Sequence, residues 1–287
     1  MLEFSGIWVP LVTPFRNGGL DLPALGRIVT QGVAQGAAGF VACGSTGEAA
    51  MLDEAEQDEV LRCAIDAAAG RPVLMGLAGV RPQRVAQRAA RLAESCRGLG
   101  GFLLSAPAYV RPSQAGLLDF FGTVADASPL PIVAYDIPAR TGVRIEVSTL
   151  LQLAAHPRIR AVKDCSGDAE AARAVVADGR LALLCGNDDE LFDQFARGAA
   201  GAITASAHVR CDDFVRMHRL VREGALAEAR ALSRELAAVS AALFAEPNPA
   251  VIKGVLARQG WLSDELRAPM LRASRAAVDR AESLSRR

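Results

Sequence analysis

The 287-residue chain has no excess of either charge, with 32 Lys and Arg against 32 Asp and Glu. That balance removes the electrostatic case for nucleic acid or an anionic membrane as the main partner. It has only three histidines, at 156, 208 and 218, and no HxxxH or HxH spacing among them. Its six cysteines, at 43, 63, 96, 165, 185 and 211, stand singly without a CxxC pair. No local motif can therefore ligate a metal, although carboxylates from distant strands could still assemble a site, and the scattered thiols are those of reduced cysteines in a cytoplasmic protein. No apolar run is long enough to span a bilayer. The opening MLEFSGIWVPLVTPF lacks a basic stretch and meets a proline early, so it reads as a first strand and not as a secretion signal. These absences leave a chain suited to handling a small molecule.

The length allows one large α/β barrel or two ordinary domains. Short apolar runs recur at 6–12, 39–44, 72–78, 101–107, 131–137, 159–164, 181–186 and 201–206. Between them lie segments such as LPALGRIVTQGVAQGA and PQRVAQRAARLAESC, whose apolar residues recur at three- and four-residue spacing, as in amphipathic helices. Strand and helix alternate through eight units, which predicts parallel strands closed into a (β/α)8 barrel. Past GAITASAHVR no strand follows. The expected division is a catalytic barrel over 1–224 and a C-terminal helical appendage over 225–287, with EPNP at 246–249 breaking two helices. Acidic residues interrupt the arginine-rich end, 267–287, so it reads as a solvated helix face and not a nucleic-acid arm.

In barrels of this class chemistry collects at the C-terminal ends of the strands, where the βα loops converge. GSTGE (44–48) follows the second strand, Tyr109 the fourth, Tyr135 and Arg140 the fifth, Lys163 the sixth and GND (186–188) the seventh. Lys163 closes an apolar strand, so its amine must either reach water or be used desolvated. A desolvated lysine with a lowered pKa is the nucleophile of a Schiff base. The alternative is a surface lysine paired to Asp164 or Asp168. Tyr135 could be a plain strand aromatic with its hydroxyl satisfied. Ser45 and Thr46 sit in a glycine-bracketed turn expected to lead into a helix, where backbone N–H groups would favour a carboxylate; similar turns also serve as simple caps. Arg140 offers a bidentate fork for a second carboxylate, or a salt bridge to Asp136.

In combination GSTGE, PAYVRPSQAGL (107–117), YDIPARTG (135–142), VKDCSGD (162–168), GND, and EPNP followed by Lys253 resemble the pyruvate-dependent class I aldolases of the dihydrodipicolinate synthase and N-acetylneuraminate lyase superfamily, essentially end to end. ARTG and EPNP…K are similar to its synthase branch. The resemblance implies a Schiff base between Lys163 and pyruvate, general acid–base work by Tyr135, and a proton relay through Ser45 and Tyr109, the latter donated by a neighbouring copy. It implies that Thr46, Ser45 and backbone near Ile203 hold the pyruvate carboxylate, that Gly186 leaves space beside the keto acid, and that Arg140 holds L-aspartate-4-semialdehyde. It further implies a homotetramer built as a dimer of dimers, and no metal or organic cofactor. Several residues depart from the pattern. Ser45 replaces a frequent threonine, Ala108 a frequent aromatic, and Asp136 a usual asparagine. Asp136, next to Arg140, is expected to weaken recognition of an acidic acceptor, which keeps open an acceptor such as a sialic or keto-deoxy sugar acid. GLAGV (76–80), Glu54, Gln57 and Arg84 depart from the feedback-regulated members and predict weak or absent inhibition by L-lysine. A non-catalytic pyruvate-binding relative is the third reading.

Overall fold

A computed structural model describes residues 2–286. Eight parallel strands close into a barrel: β1 (Gly6–Pro10), β2 (Gly39–Ala42), β3 (Val73–Leu77), β4 (Leu99–Ser105), β5 (Ile132–Asp136), β6 (Ile159–Asp164), β7 (Ala182–Cys185) and β8 (Gly201–Ile203), with β8 pairing back onto β1. The predicted (β/α)8 barrel is therefore the observed fold. Six of the eight strands are shorter than their apolar runs because the runs continue into the loops that build the mouth. A small hairpin, Phe15–Arg16 with Gly19–Leu20, was not predicted. Its signal is the Asn17-Gly18 pair, both at positive φ, as a two-residue hairpin turn requires.

The crossover helices are α1 (Leu22–Ala34), α2 (Glu54–Ala67), α3 (Pro82–Ser95), α4 (Gln114–Ala127), the one-turn α5 (Pro138–Thr141), α6 (Val147–Leu153), α7 (Ala169–Asp178) and α8 (Leu191–Ala196). After β8 come α9 (Ala207–Arg222), α10 (Leu226–Leu243), α11 (Ala250–Arg258) and α12 (Arg275–Ser285), and EPNP does separate α10 from α11. Local chemistry sets several starts. Asp53 and Glu56 form a reciprocal capping box on α2, and Asp168 accepts from two backbone N–H groups of α7.

Strand alternation divides the apolar residues into two layers. Trp8, Val41, Leu74, Leu103, Val133, Tyr135, Ala161, Leu184 and Ile203 face inward from the eight strands and, with Phe4, fill the barrel. Trp8 needs Gly39 opposite it, since a Cβ there would lie 2.4 Å from the indole ring. The opposite set packs under the helices. His208 is structural: its Nε2 accepts from Val12 N at 3.1 Å and its Nδ1 bonds to the Ala205 carbonyl at 2.9 Å. Burial pushes this imidazole down to about 4, so it stays neutral. Among the described residues no helix is long and apolar enough to cross a membrane.

Candidate active site

Tyr135 and Lys163 are neighbours in the β5–β6 register, both turned inward at the C-terminal rim of the barrel. Lys163 is 6 % exposed, and its ammonium lies 4.4 Å from the centroid of the Tyr135 ring. The paired surface lysine considered above is not found. Alternation places Asp164 on the helix side, where it accepts from Ser166 N at 2.8 Å, and Asp168 binds Arg144 at 2.6 Å.

The protonation state differs from the sequence expectation. Burial alone favours a neutral Lys163 amine, but Tyr135, Cys165 and Asp188 around it outweigh burial, and the net shift is upward. The free site holds an ammonium, so the nucleophile has to be released by proton transfer. Burial pushes the Tyr135 hydroxyl up, with Lys163 and Ser45 partly opposing, so the phenol enters as an acid.

Gly186 clears space for the site's own side chains. A Cβ at this position would lie 2.3 Å from Cys165 Sγ and 2.7 Å from Lys163 Cε, so the glycine makes room for the lysine itself. Cys165 Sγ also lies 3.9 Å from the Tyr135 hydroxyl. Burial pushes this thiol up to about 11, which keeps it protonated and unreactive. Sequence reasoning took Cys165 only for one of six scattered reduced thiols and gave a role only to Gly186 in GND. Asp188, the last letter of that motif, is a buried carboxylate that accepts from Ser206 N at 2.7 Å and acts on Lys163. Its place at the end of β7 was the available signal.

The GSTGE loop brings Ser45 and Thr46 to the same rim, Ser45 exposed and Thr46 buried. It does not lead straight into a helix, as was expected: a 3-10 turn, Ala49–Met51, intervenes, and α2 begins only at Glu54. A helix dipole therefore does not supply the anion preference. Instead the loop is locked by tertiary contacts. Cys43 and Glu48 flank it in the left-handed region, with φ of 53° and 54°. Thr13 Oγ1 donates to the Gly47 carbonyl at 2.6 Å. From the C-terminal region, Asn248 Nδ2 donates to Thr46 Oγ1 at 2.9 Å, Lys253 forms a fully buried ion pair with Glu48, and Arg267 N donates to Glu48 Oε2 at 3.1 Å. Ile203 ends β8 inside the rim, in register with Trp8.

Two predicted residues stay apart from this group in a single chain. Tyr109 is 94 % exposed, held outward at φ 73°. Arg140 is exposed on α5 and has no ion pair among the described residues. The considered Arg140–Asp136 bridge does not form. Asp136 follows the inward Tyr135, so it points to the helix side, accepts from Ile145 N at 3.2 Å, and is pushed by burial up to about 7. The sequence argument that placed it beside the acceptor is corrected by this alternation. Among the described residues no group of three or more His, Cys, Asp or Glu side chains could hold a metal ion.

Comparison with known proteins agrees with this geometry. The Dihydrodipicolinate synthetase family matches residues 3–285. A 4-hydroxy-tetrahydrodipicolinate synthase of Sphingopyxis alaskensis is 40 % identical, with 97 % of each chain covered. The crystal structure of a dihydrodipicolinate synthase from Aquifex aeolicus superposes with a TM-score of 0.93 at 31 % identity, covering 98 % of this chain and 97 % of that one. A chloride-inhibited dihydrodipicolinate synthase from Acinetobacter baumannii, complexed with pyruvate, gives 0.94 at 27 % identity, with 98 % of each chain covered.

Proposed function

Since this chain belongs to the dihydrodipicolinate synthetase family, we propose that it is the lyase that condenses pyruvate with L-aspartate-4-semialdehyde to 4-hydroxy-tetrahydrodipicolinate, a step towards diaminopimelate and lysine. The observation that carries the reading is Lys163, buried at the rim under the Tyr135 ring with no carboxylate at ion-pair distance among the described residues. Once deprotonated, its amine adds to the ketone carbon of pyruvate. Tyr135 protonates the departing oxygen, which leaves as water, and a protonated imine remains. The phenolate then removes a methyl proton, and the enamine attacks the aldehyde carbon, whose oxygen takes a proton from Tyr135. The amino group of the semialdehyde adds to the imine carbon and expels Lys163 as the ring closes. The protonated imine is the electron sink, so the reaction calls for no metal or organic cofactor.

Thr46 and Ser45, with backbone near Ile203, receive the keto-acid carboxylate, and Arg140, exposed and without an ion pair among the described residues, receives that of the semialdehyde. Asp136 gives no support to a different acceptor, because its carboxyl is on the helix side. Tyr109 completes the relay to Ser45 only from another copy, which fits its 94 % exposure and a tetramer made of two dimers. Residues 225–287 act as the helical region that closes over the GSTGE loop. Millimolar L-lysine is expected to leave turnover unchanged, since Glu54 and Gln57 are both bound to Arg88. Borohydride in the presence of pyruvate should trap one adduct, located at Lys163 by peptide mass; a folded protein that gave none would end the aldolase reading. Turnover with aspartate semialdehyde should exceed that with sialic acid or 2-keto-3-deoxy sugar acids, and the reverse ranking would reassign the acceptor.

A further inference from the structure

We propose that Asn248, in the EPNP segment between α10 and α11, is a positioning residue of the keto-acid subsite, setting the direction in which the Thr46 hydroxyl donates. The inference rests on the reading that Thr46 receives the pyruvate carboxylate. A hydroxyl has one proton and two lone pairs. The Asn248 amide donates to Thr46 Oγ1 at 2.9 Å, which occupies a lone pair and turns the O–H away from Asn248. Thr46 is 4 % exposed, and its hydroxyl has no other partner among the described residues. Its proton is therefore left for a ligand, and an incoming carboxylate is the strongest acceptor it can meet.

The attachment is built for this orientation. Five residues after Asn248, Lys253 grips Glu48, two residues after Thr46, from the interior side. The two ties fix both the position of the loop and the polarity of its hydroxyl. Asparagine suits the place because an amide can donate where a carboxylate can only accept. An aspartate of the same size would take the Thr46 proton for itself and add a like charge beside the keto acid.

The test uses the full-length protein and borohydride trapping of pyruvate on Lys163, reading both the half-saturating pyruvate concentration and the limiting rate. Asn248→Ala should raise the half-saturating concentration about ten-fold, the loss of a hydrogen bond to a charged ligand, with the limiting rate kept. Asn248→Asp, nearly isosteric, should raise it several-fold further. Asn248→Ala added to Thr46→Val should do no more harm than Thr46→Val alone, which checks the coupling even if one single variant folds poorly. Equal effects of Ala and Asp would reduce Asn248 to a loop support, and wild-type behaviour of both would remove it from the site; either result overturns the proposal. A wild-type protein that traps no pyruvate would instead sink the aldolase reading, and this proposal with it.

Discussion

Lys163 and Lys253 are both buried, 6 % and 0 % exposed, and both lie over an aromatic ring, 4.4 Å from the centroid of Tyr135 and 4.3 Å from that of Phe15. What answers the charge is different. Lys253 donates to the Glu48 carboxylate and, at 2.8 Å, to the Glu265 carbonyl, while Arg267 stacks on the same Phe15 ring and binds Glu56 through two 2.6 Å hydrogen bonds. Burial holds the Lys253 pKa below its ordinary value and Glu48 pulls against that shift. Lys163 faces a phenol and a thiol and feels Asp188 at longer range, with no carboxylate at ion-pair distance among the described residues. Burial alone does not distinguish a structural lysine from a reactive one; the partner set does. A lysine whose donors are all answered is a tie, and one surrounded by groups that can exchange protons is available for chemistry.

The largest effect expected from breaking this contrast is at Lys163. Lys163→Met should abolish pyruvate trapping and reduce turnover to background at little cost in thermal stability, since it breaks no ion pair among the described residues and removes only the longer-range charge felt by Asp188. Lys253→Met should do the opposite, leaving the Glu48 carboxylate buried without its cation at a cost of about 3–5 kcal/mol. Urea titration would read that loss, and adding Glu48→Gln should restore most of it. If Lys163→Met were the more destabilising of the two, the contrast would be wrong. A smaller effect is expected at Asp136, on the same strand as Tyr135 but facing the helices. Its ordinary value is 3.8 and its folded value about 7, raised by burial. The native chain therefore binds more protons than the unfolded one between those values. Its contribution is fully present below the lower value and lost as pH rises towards the upper, at about 1.4 kcal/mol per unit. Asp136→Asn should accordingly stabilise more at pH 8 than at pH 5 and leave the acceptor preference alone; equal stabilisation at both would mean the carboxyl is ionised throughout. The smallest change sharpens the account of Lys163. With its pKa raised, the rate of adduct formation should climb steadily with pH from neutral upwards, and a rate flat over that range would mean the amine is already free.

The barrel was legible because short apolar runs and period-3.6 segments alternate through eight units, and the rim residues because strand ends have a fixed functional meaning in this fold. Lys163, Tyr135, Ser45 and Thr46 do meet at one rim. The misreadings came from quantities that a linear pattern does not carry. Asp136 and Arg140 are four residues apart in sequence, but strand alternation turns Asp136 to the helices while Arg140 is exposed on α5. That Gly186 must also clear Cys165 Sγ and Lys163 Cε could not be read from the linear pattern. The charge on Lys163 depended on Cys165 and Asp188 arriving from different loops. EPNP was visible as a helix break and as part of the resemblance but not as a support of the GSTGE loop, because its partner Thr46 is 202 residues away.

That separation has a consequence for synthesis. The ties from Asn248, Lys253 and Arg267 to the GSTGE loop span 202, 205 and 219 residues. Contacts of such high sequence separation must bear a large loop-closure entropy and cannot form until the distal segment has left the ribosome. A nascent chain can thus assemble strands and place Lys163 beside Tyr135 while still lacking an ordered carboxylate pocket. The chemistry waits for the last fifth of the chain, and a protease cut within 246–267 should silence the protein while the barrel around Trp8 stays folded.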